Sequence, residues 1–185
     1  MSKKLIDVEI KNRYNGNIIL SGKYESIKDA LEKNSDSDLR YSNLSGSDLR
    51  YSDLRYSNLR YSNLCGSDLS DSSLSNSDLR YSDLSNSDLS GSYLSNSDMR
   101  ETDLSDSDLR GADLRGANLD FSCMPLWRGD LEANYDDKQI IQQLYHVLSH
   151  VINSNNCSKT LKRQLLTIGN LKVANKYHRI GNAIN

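Results

Sequence analysis

Apolar residues recur at every fifth position through the middle of the chain. Seventeen consecutive five-residue units keep an apolar centre, and sixteen of these centres are Leu. The centres are Leu39, Leu44, Leu49, Leu54, Leu59, Leu64, Leu69, Leu74, Leu79, Leu84, Leu89, Leu94, Met99, Leu104, Leu109, Leu114 and Leu119. A small residue, usually Ser, stands two positions before each centre. Asp or Asn stands immediately before it, except at Ser73 and Tyr93.

This period of five matches neither a helix, which repeats every 3.6 residues, nor a strand, which repeats every two. A five-residue apolar step would spiral around one helix and bury nothing. A short fixed period instead predicts a solenoid, in which each unit is stabilised by stacking on the next. If each unit forms one side of a coil, the centre and the small residue point inward. Each buried Leu then contributes about 1.5–3 kcal/mol.

The repeated Ser-Asp/Asn-Leu-x-x pattern, which ends as GADLRGANL over residues 111–119, resembles the pentapeptide-repeat family. This resemblance implies a right-handed quadrilateral β-helix over residues 37–124. The chain departs from the family in carrying Ser where Ala is commoner. A buried hydroxyl needs a partner, so we expect it to bond neighbouring backbone or a stacked Ser. A disordered Ser/Asp/Asn-rich tract is the alternative, and the unbroken Leu register disfavours it.

Four repeats per coil, as the resemblance implies, place residues twenty apart above one another. One side, the Arg/Tyr face, then carries Arg40, Tyr41, Arg60, Tyr61, Arg80, Tyr81 and Arg100. The side that we call the fourth face begins with Arg55 and Tyr56 and continues with Ser and Asn. Tyr and Arg are enriched in interface hot spots, so the Arg/Tyr face is the candidate partner surface. The alternative is internal, with Tyr stacked on Tyr and Arg paired with Asp of nearby repeats, where exposed pairs contribute only about 0–1 kcal/mol.

The flanking segments differ in composition from the repeats. Residues 1–36 alternate apolar and polar positions around Asn15-Gly16, which predicts a β-hairpin, and a short helix with Ser26 as N-cap follows. Residues 125–185 begin with Pro125 and show helical spacing over residues 137–153 and 157–178. This tail is similar to the C-terminal tails of phage and bacterial pentapeptide-repeat proteins. We expect either end to cap the solenoid or to form a homo-oligomer.

Charge is segregated along the chain. Residues 37–121 carry eight Arg and fifteen acidic residues, a net charge of −7, whereas residues 122–185 carry +4. An acidic solenoid is not expected to bind nucleic acid directly. No apolar run approaches the length of a membrane span, no signal peptide is evident, and three cysteines in no close pattern do not suggest a disulfide framework. We therefore expect a cytoplasmic protein without membrane contact.

Catalytic chemistry has no recognisable constellation in this sequence. Nucleotide-binding, metalloprotease and hydrolase motifs are missing, so no catalytic residue and no cofactor is expected. His146 and His150 are four residues apart on a predicted helix, but no third ligand accompanies them, so no metal site is expected.

These observations favour a non-enzymatic protein-binding or scaffolding β-helix. Two alternatives stay open. The resemblance implies that some relatives mimic duplex DNA and bind a type II topoisomerase such as gyrase; the net charge of −7 is compatible with this, while the eight Arg argue against it. The other alternative is a self-assembling structural protein that pairs through the hairpin or through the C-terminal helices.

Overall fold

The computed structural model describes residues 4–125 and 133–136. It begins with a β-hairpin of strands β1 (Ile6–Asn12) and β2 (Ile18–Tyr24), which pair antiparallel. The connecting loop closes with the Asn12 N–H donating to the Asn17 carbonyl at 2.8 Å, and Gly16 supplies a positive φ of 73°. Glycine adopts this left-handed conformation at little cost, which explains the turn that the sequence predicts here.

Helix α1 (Ile27–Lys33) follows the hairpin. The Ser26 hydroxyl accepts a hydrogen bond from the Asp29 N–H at 3.0 Å, which confirms Ser26 as the N-cap. The helix buries Ala30 and Leu31. Its polar side reaches the solenoid, where the Glu32 carboxylate accepts a hydrogen bond from the Asp53 N–H at 3.0 Å.

The hairpin joins the solenoid through a third strand. Strand β1 pairs antiparallel with β3 (Ser42–Asn43) in the first coil, so the sheet has the order β2-β1-β3. Val8 and Ile10 on β1 are buried, with exposures of 3% and 1%. An isolated two-stranded hairpin is marginally stable, so this pairing and burial stabilise the N-terminal segment.

The repeats form a four-sided coil. Parallel bridges connect each residue before a centre to the residue twenty positions later, from Asp38 and Asn58 through Asp103 and Cys123. The centre's N–H donates to the next coil, as from Leu44 to the Asn63 carbonyl at 2.7 Å. Since twenty residues contain four five-residue units, each unit forms one side, and successive coils satisfy one another's backbone groups.

Each corner of the coil is a tight turn. The N–H of the small residue donates to the carbonyl of the preceding centre, as from Ser47 to Leu44 at 3.2 Å. The residue two positions after the centre has a positive φ at all seventeen corners, between 54° and 76°. Glycine occupies five of these corners, and Tyr, Asn, Asp, Glu or Phe occupies the rest. Most L-residues adopt this conformation only at a cost, so the corners without glycine carry local strain.

The interior is filled by the seventeen centres, each of which is at most 3% exposed. Most of the buried serines donate their hydroxyl to the carbonyl of the preceding centre, as from Ser57 to Leu54 at 2.6 Å. The hydroxyls of Ser42, Ser52, Ser62 and Ser92 have no hydrogen-bond partner among the described residues. The expected backbone bond therefore forms at most positions, and it provides the partner that a buried hydroxyl requires.

The repeat pattern changes near the last coil. Cys123 still bridges Asp103, whereas Met124, in register with the centres, is only half-buried. Further along, Asn134 donates its N–H to the Ala112 carbonyl at 2.7 Å and accepts from the Leu114 N–H at 2.9 Å. The helices predicted over residues 137–153 and 157–178 lie outside the described residues. Within residues 4–125 and 133–136 there is no helix long and apolar enough to span a membrane.

Candidate interaction face

The aromatic column of the Arg/Tyr face is a continuous stack. The rings of Tyr41 and Tyr61 lie 5.0 Å apart at 6°, and those of Tyr61 and Tyr81 lie 4.8 Å apart at 7°. The spacing follows from the coil, because stacked coils place their backbones about 4.8 Å apart. Equivalent corners therefore hold the rings at van der Waals contact, and each pair is favourable by about 0.5–1.5 kcal/mol beyond its buried area.

The hairpin loop covers the N-terminal end of this stack. The ring of Tyr14 meets Tyr41 edge-on at 6.0 Å. Arg13 reaches further, and its guanidinium donates to the Tyr61 carbonyl at 3.3 Å and to the Ser62 carbonyl at 2.9 Å. The Arg13 N–H also donates to the Tyr41 carbonyl at 2.7 Å. Part of the predicted partner surface is thus used to hold the hairpin on the solenoid.

At its C-terminal end, beyond Tyr81, the stack contacts no further ring among the described residues. Tyr81 is 39% exposed, and its hydroxyl forms a hydrogen bond with Glu101, the corner residue of the next coil, which raises the pKa of Tyr81. Phe121 occupies the corner after that and is 57% exposed. An aromatic surface therefore continues from Tyr81 past one acidic residue to Phe121.

Arginine on the coils is paired within its own repeat. In seven of the eight repeats that carry Arg, the Asp two positions earlier accepts from both the Nε and an Nη atom of the guanidinium. On the Arg/Tyr face, Arg80 donates to Asp78 at 2.8 and 2.6 Å, and Arg100 donates to Asp98 at the same distances. Such two-point pairs are stronger and more directional than simple ion pairs.

This pairing shifts the pKa values of both partners. Hydrogen bonds from the Arg50 side chain and backbone lower the pKa of Asp48 to about 2, and the same contact raises the pKa of Arg50. At Asp98, burial acts to raise the pKa of the carboxyl, and the hydrogen bonds from Arg100 outweigh it, so the pKa is lowered. These groups are charged at neutral pH and largely neutralise one another locally.

Arg60 is the exception on the Arg/Tyr face. Asn58 stands where the other Arg-bearing repeats have Asp, and it accepts only from the Arg60 backbone N–H, at 3.4 Å. The Arg60 Nε is buried without a hydrogen-bond partner among the described residues. The guanidinium lies over the Tyr61 ring, 5.4 Å from its centroid, and 3.8 Å from a carboxylate oxygen of Asp78. The sequence places Arg60 in one column with Arg40, Arg80 and Arg100, and Asn58, two positions earlier, is the signal that separates it from them.

Other exposed aromatic residues lie away from this face. Tyr51 is 67% exposed, Tyr56 is 73% exposed, and Tyr93, which replaces the usual Asp or Asn, is 56% exposed. None of them stacks on another ring among the described residues. Twenty residues away from them the chain has Asp71, Asn76, Ser73 and Asp113 rather than another aromatic residue.

Residues 4–125 and 133–136 contain no group of three or more His, Cys, Asp or Glu placed to hold a metal ion. The pair His146 and His150 lies outside the described residues.

Comparison with known proteins agrees with this geometry. The family model for pentapeptide repeats matches eight copies, over residues 35–71, 57–96 and 82–120. A pentapeptide-repeat protein from the thylakoid lumen of Arabidopsis thaliana is similar at 27% identity and a TM-score of 0.52, over 70% of this chain and 87% of that one. No curated protein sequence matches the chain.

Two further solved structures share less of the geometry. A pentapeptide-repeat protein from Nostoc has 22% identity and a TM-score of 0.43, over 53% of this chain and 85% of its own. QnrB1, a plasmid-mediated fluoroquinolone resistance protein, has 16% identity and a TM-score of 0.30, over 58% of this chain and 67% of its own.

Proposed function

This chain belongs to the pentapeptide-repeat family, and from that premise we propose that it is a non-enzymatic protein-binding rod. In this proposal the coils form a right-handed quadrilateral β-helix, and the exposed aromatic residues of the Arg/Tyr face contact the partner. The observation that carries the proposal is the aromatic surface that begins at Tyr81 and resumes at Phe121, with exposures of 39% and 57%. Rigid aromatic side chains lose little conformational entropy on binding, which favours them as anchors.

Site-specific photo-crosslinking tests this proposal in cells that express the full chain. A benzophenone side chain replaces Tyr81 in one variant and Asn76 in a matched variant. Both positions are coil corners with a φ of 60°, but they lie on different faces. We expect a crosslinked partner from position 81 and none from position 76. Equal products from both positions, or a product from position 76 alone, would contradict the choice of face.

Self-assembly is a second candidate, supported by the N-terminal sheet. Strand β2 is at the edge of the β2-β1-β3 sheet, with no neighbour on its outer side among the described residues. Leu5, Ile6 and Ile18 nearby are between 46% and 55% exposed. Open strand edges and exposed apolar residues favour pairing with a second chain. Light scattering of the Ile6→Lys/Ile18→Lys variant tests this: a smaller native mass supports pairing, and an unchanged monomeric mass removes it.

The DNA-mimic alternative gains no separate support. A mimic needs uninterrupted acidic faces, whereas Arg lies within hydrogen-bond distance of Asp in seven repeats distributed over the coils. Inhibition of gyrase supercoiling across a salt series is the direct test. Stoichiometric inhibition that weakens with salt would restore this alternative over the protein-binding proposal.

A further inference from the structure

Arg60 differs from every other arginine of the repeats in its partner. In the seven paired repeats, one Asp oxygen accepts from Nε and the carboxylate also accepts from an Nη atom. Asn58 carries an amide nitrogen in place of the second oxygen, and this nitrogen is a donor. Because two donors cannot bond each other, Asn58 cannot form the two-point pair. Arg60 is left with unused donor capacity.

The surroundings of Arg60 do not replace the missing carboxylate. The nearest carboxylate oxygen belongs to Asp78, 3.8 Å from the Arg60 Nε, which is beyond hydrogen-bond distance. Asp78 is already bonded at two points to Arg80. The Arg60 side chain is 29% exposed, and its buried Nε has no hydrogen-bond partner among the described residues. The exposed Nη edge is therefore the part available to a ligand.

The local charge around Arg60 is opposite to that of the coil region as a whole. Asp38 pairs with Arg40, Asp78 with Arg80 and Asp98 with Arg100 at two points, whereas Arg60 has no two-point partner. A polyanion would meet the net charge of −7 carried by residues 37–121. A single carboxylate meets the Arg60 guanidinium beside an Asp78 carboxylate that Arg80 already pairs. The site therefore selects one carboxylate rather than nucleic acid.

We propose that Arg60 is a binding residue for one Asp or Glu carboxylate of a partner polypeptide, next to an apolar side chain that packs on the Tyr61–Tyr81 stack. The guanidinium and the aromatic stack are adjacent, because the Arg60 guanidinium is 5.4 Å from the Tyr61 ring centroid and the Tyr61 and Tyr81 rings are 4.8 Å apart. This inference rests on the proposed function. It names the chemistry of the segment that the Arg/Tyr face binds.

Side-chain NMR of the full chain tests the inference with defined probes. The probes are a blocked Leu-Glu-Leu peptide and its Leu-Gln-Leu counterpart, and the readout is the Nε–Hε cross-peak of each arginine. We expect the Glu peptide to move the Arg60 cross-peak in a saturable way. We expect the Gln peptide to bind at least about fivefold more weakly, since it cannot form a charge-assisted hydrogen bond. Equal effects of the two peptides on Arg60 would overturn the inference.

Two variants separate the role of the missing carboxylate from the role of the arginine. Asn58→Asp restores the Asp of the other Arg-bearing repeats and keeps Arg60. It should pair Arg60 internally and weaken binding of the Glu peptide at least about fivefold. Asp98→Asn leaves Arg100 without its own-repeat partner and should create a second responding arginine. If Asn58→Asp binds as tightly as the unaltered chain, the carboxylate site is wrong.

The outcomes also distinguish this inference from the proposed function. Peptide-induced shifts confined to the backbone around Tyr81 and Phe121, with Arg60 unmoved, would remove the Arg60 site and leave a protein-binding face. A saturable Arg60 response, combined with failure of the Tyr81 crosslinker to capture any partner in cells, would remove the proposed cellular role. In that case the carboxylate-binding chemistry would remain.

Discussion

On the Arg/Tyr face Tyr41 and Tyr61 are each followed twenty residues later by another tyrosine, whereas on the fourth face Tyr56 is followed by Asn76. The backbones are equivalent, with φ of 59° at Tyr61 and 62° at Tyr56. Tyr61 lies between two rings, 5.0 and 4.8 Å away, while Tyr56 is 73% exposed. The same residue in the same turn is thus a packing element on one face and a solvent-facing side chain on the other.

This difference shows that the role of a surface residue in the solenoid is set by the residues one coil away. Local sequence fixes the corner, and the neighbours at twenty residues fix whether its side chain has a partner. Arg60 follows a second rule, because the residue two positions earlier decides whether a guanidinium is paired. A change of the residue twenty positions away can therefore convert a packed side chain into a solvent-facing one. A change of the residue two positions earlier can convert a paired guanidinium into an unpaired one.

The largest expected loss of stability comes from changes inside the coil, where the Arg/Tyr face and the fourth face should not differ. Leu59 on the Arg/Tyr face and Leu74 on the fourth face are both 0% exposed. Each Leu→Ala change should lower the free energy of unfolding by about 2–5 kcal/mol, because it removes buried methyl groups and leaves a cavity. Urea unfolding measures both, with Ser75→Ala as a surface control. A large loss at one position only would show that the faces differ in packing as well as in surface.

The tyrosine stack should give the next largest effect, and a matched pair isolates it. Tyr61→Gly and Tyr56→Gly relieve the same positive φ, but only the first removes two stacked ring pairs. Tyr61→Gly should therefore be less stable than Tyr56→Gly by about 1–3 kcal/mol, at roughly 0.5–1.5 kcal/mol for each pair. Thermal unfolding of both variants checks this. Equal stabilities would mean that the stack contributes nothing to folding.

Much of the coil follows from the sequence. The five-residue register of apolar centres predicts a side chain buried at each step, and the structure buries all seventeen. The resemblance supplied the four units per coil, and the bridges at twenty residues have that spacing. The turn at Asn15-Gly16 and the N-cap at Ser26 rest on local hydrogen bonding and on positive φ, which a short stretch of sequence encodes.

Contacts between distant segments were not predictable in the same way. Strand β3 pairs with β1, and Arg13 reaches the carbonyls of Tyr61 and Ser62, 48 and 49 residues away. No pattern within the hairpin marks Arg13 for this role. The arginine pairs illustrate the same limit at short range. The predicted ion pairs with Asp of nearby repeats form between coils, as between the Arg80 Nε and Asp98 at 3.4 Å, but the two-point partner lies in the same repeat. The preference for the Asp of the same repeat depends on how the corner directs the Asp and Arg side chains outward together.

The smallest expected effect concerns the strain of a corner without a partner. Tyr56 holds a φ of 62° with 73% of its surface exposed, so glycine there would relieve the left-handed conformation and lose little packing. The relief of about 1–2 kcal/mol is offset by the greater freedom of glycine in the unfolded chain, about 0.5–1 kcal/mol. Tyr56→Gly should therefore be slightly more stable than the unaltered protein, by up to roughly 1 kcal/mol.

Asn76→Gly is the matched control, because Asn76 has a φ of 60° and asparagine tolerates this region better than tyrosine, so its gain should be smaller. Differential scanning calorimetry of the two variants makes the comparison. A loss of stability in Tyr56→Gly would show that this exposed tyrosine packs favourably on the coil after all, and the contrast between the two faces would then narrow.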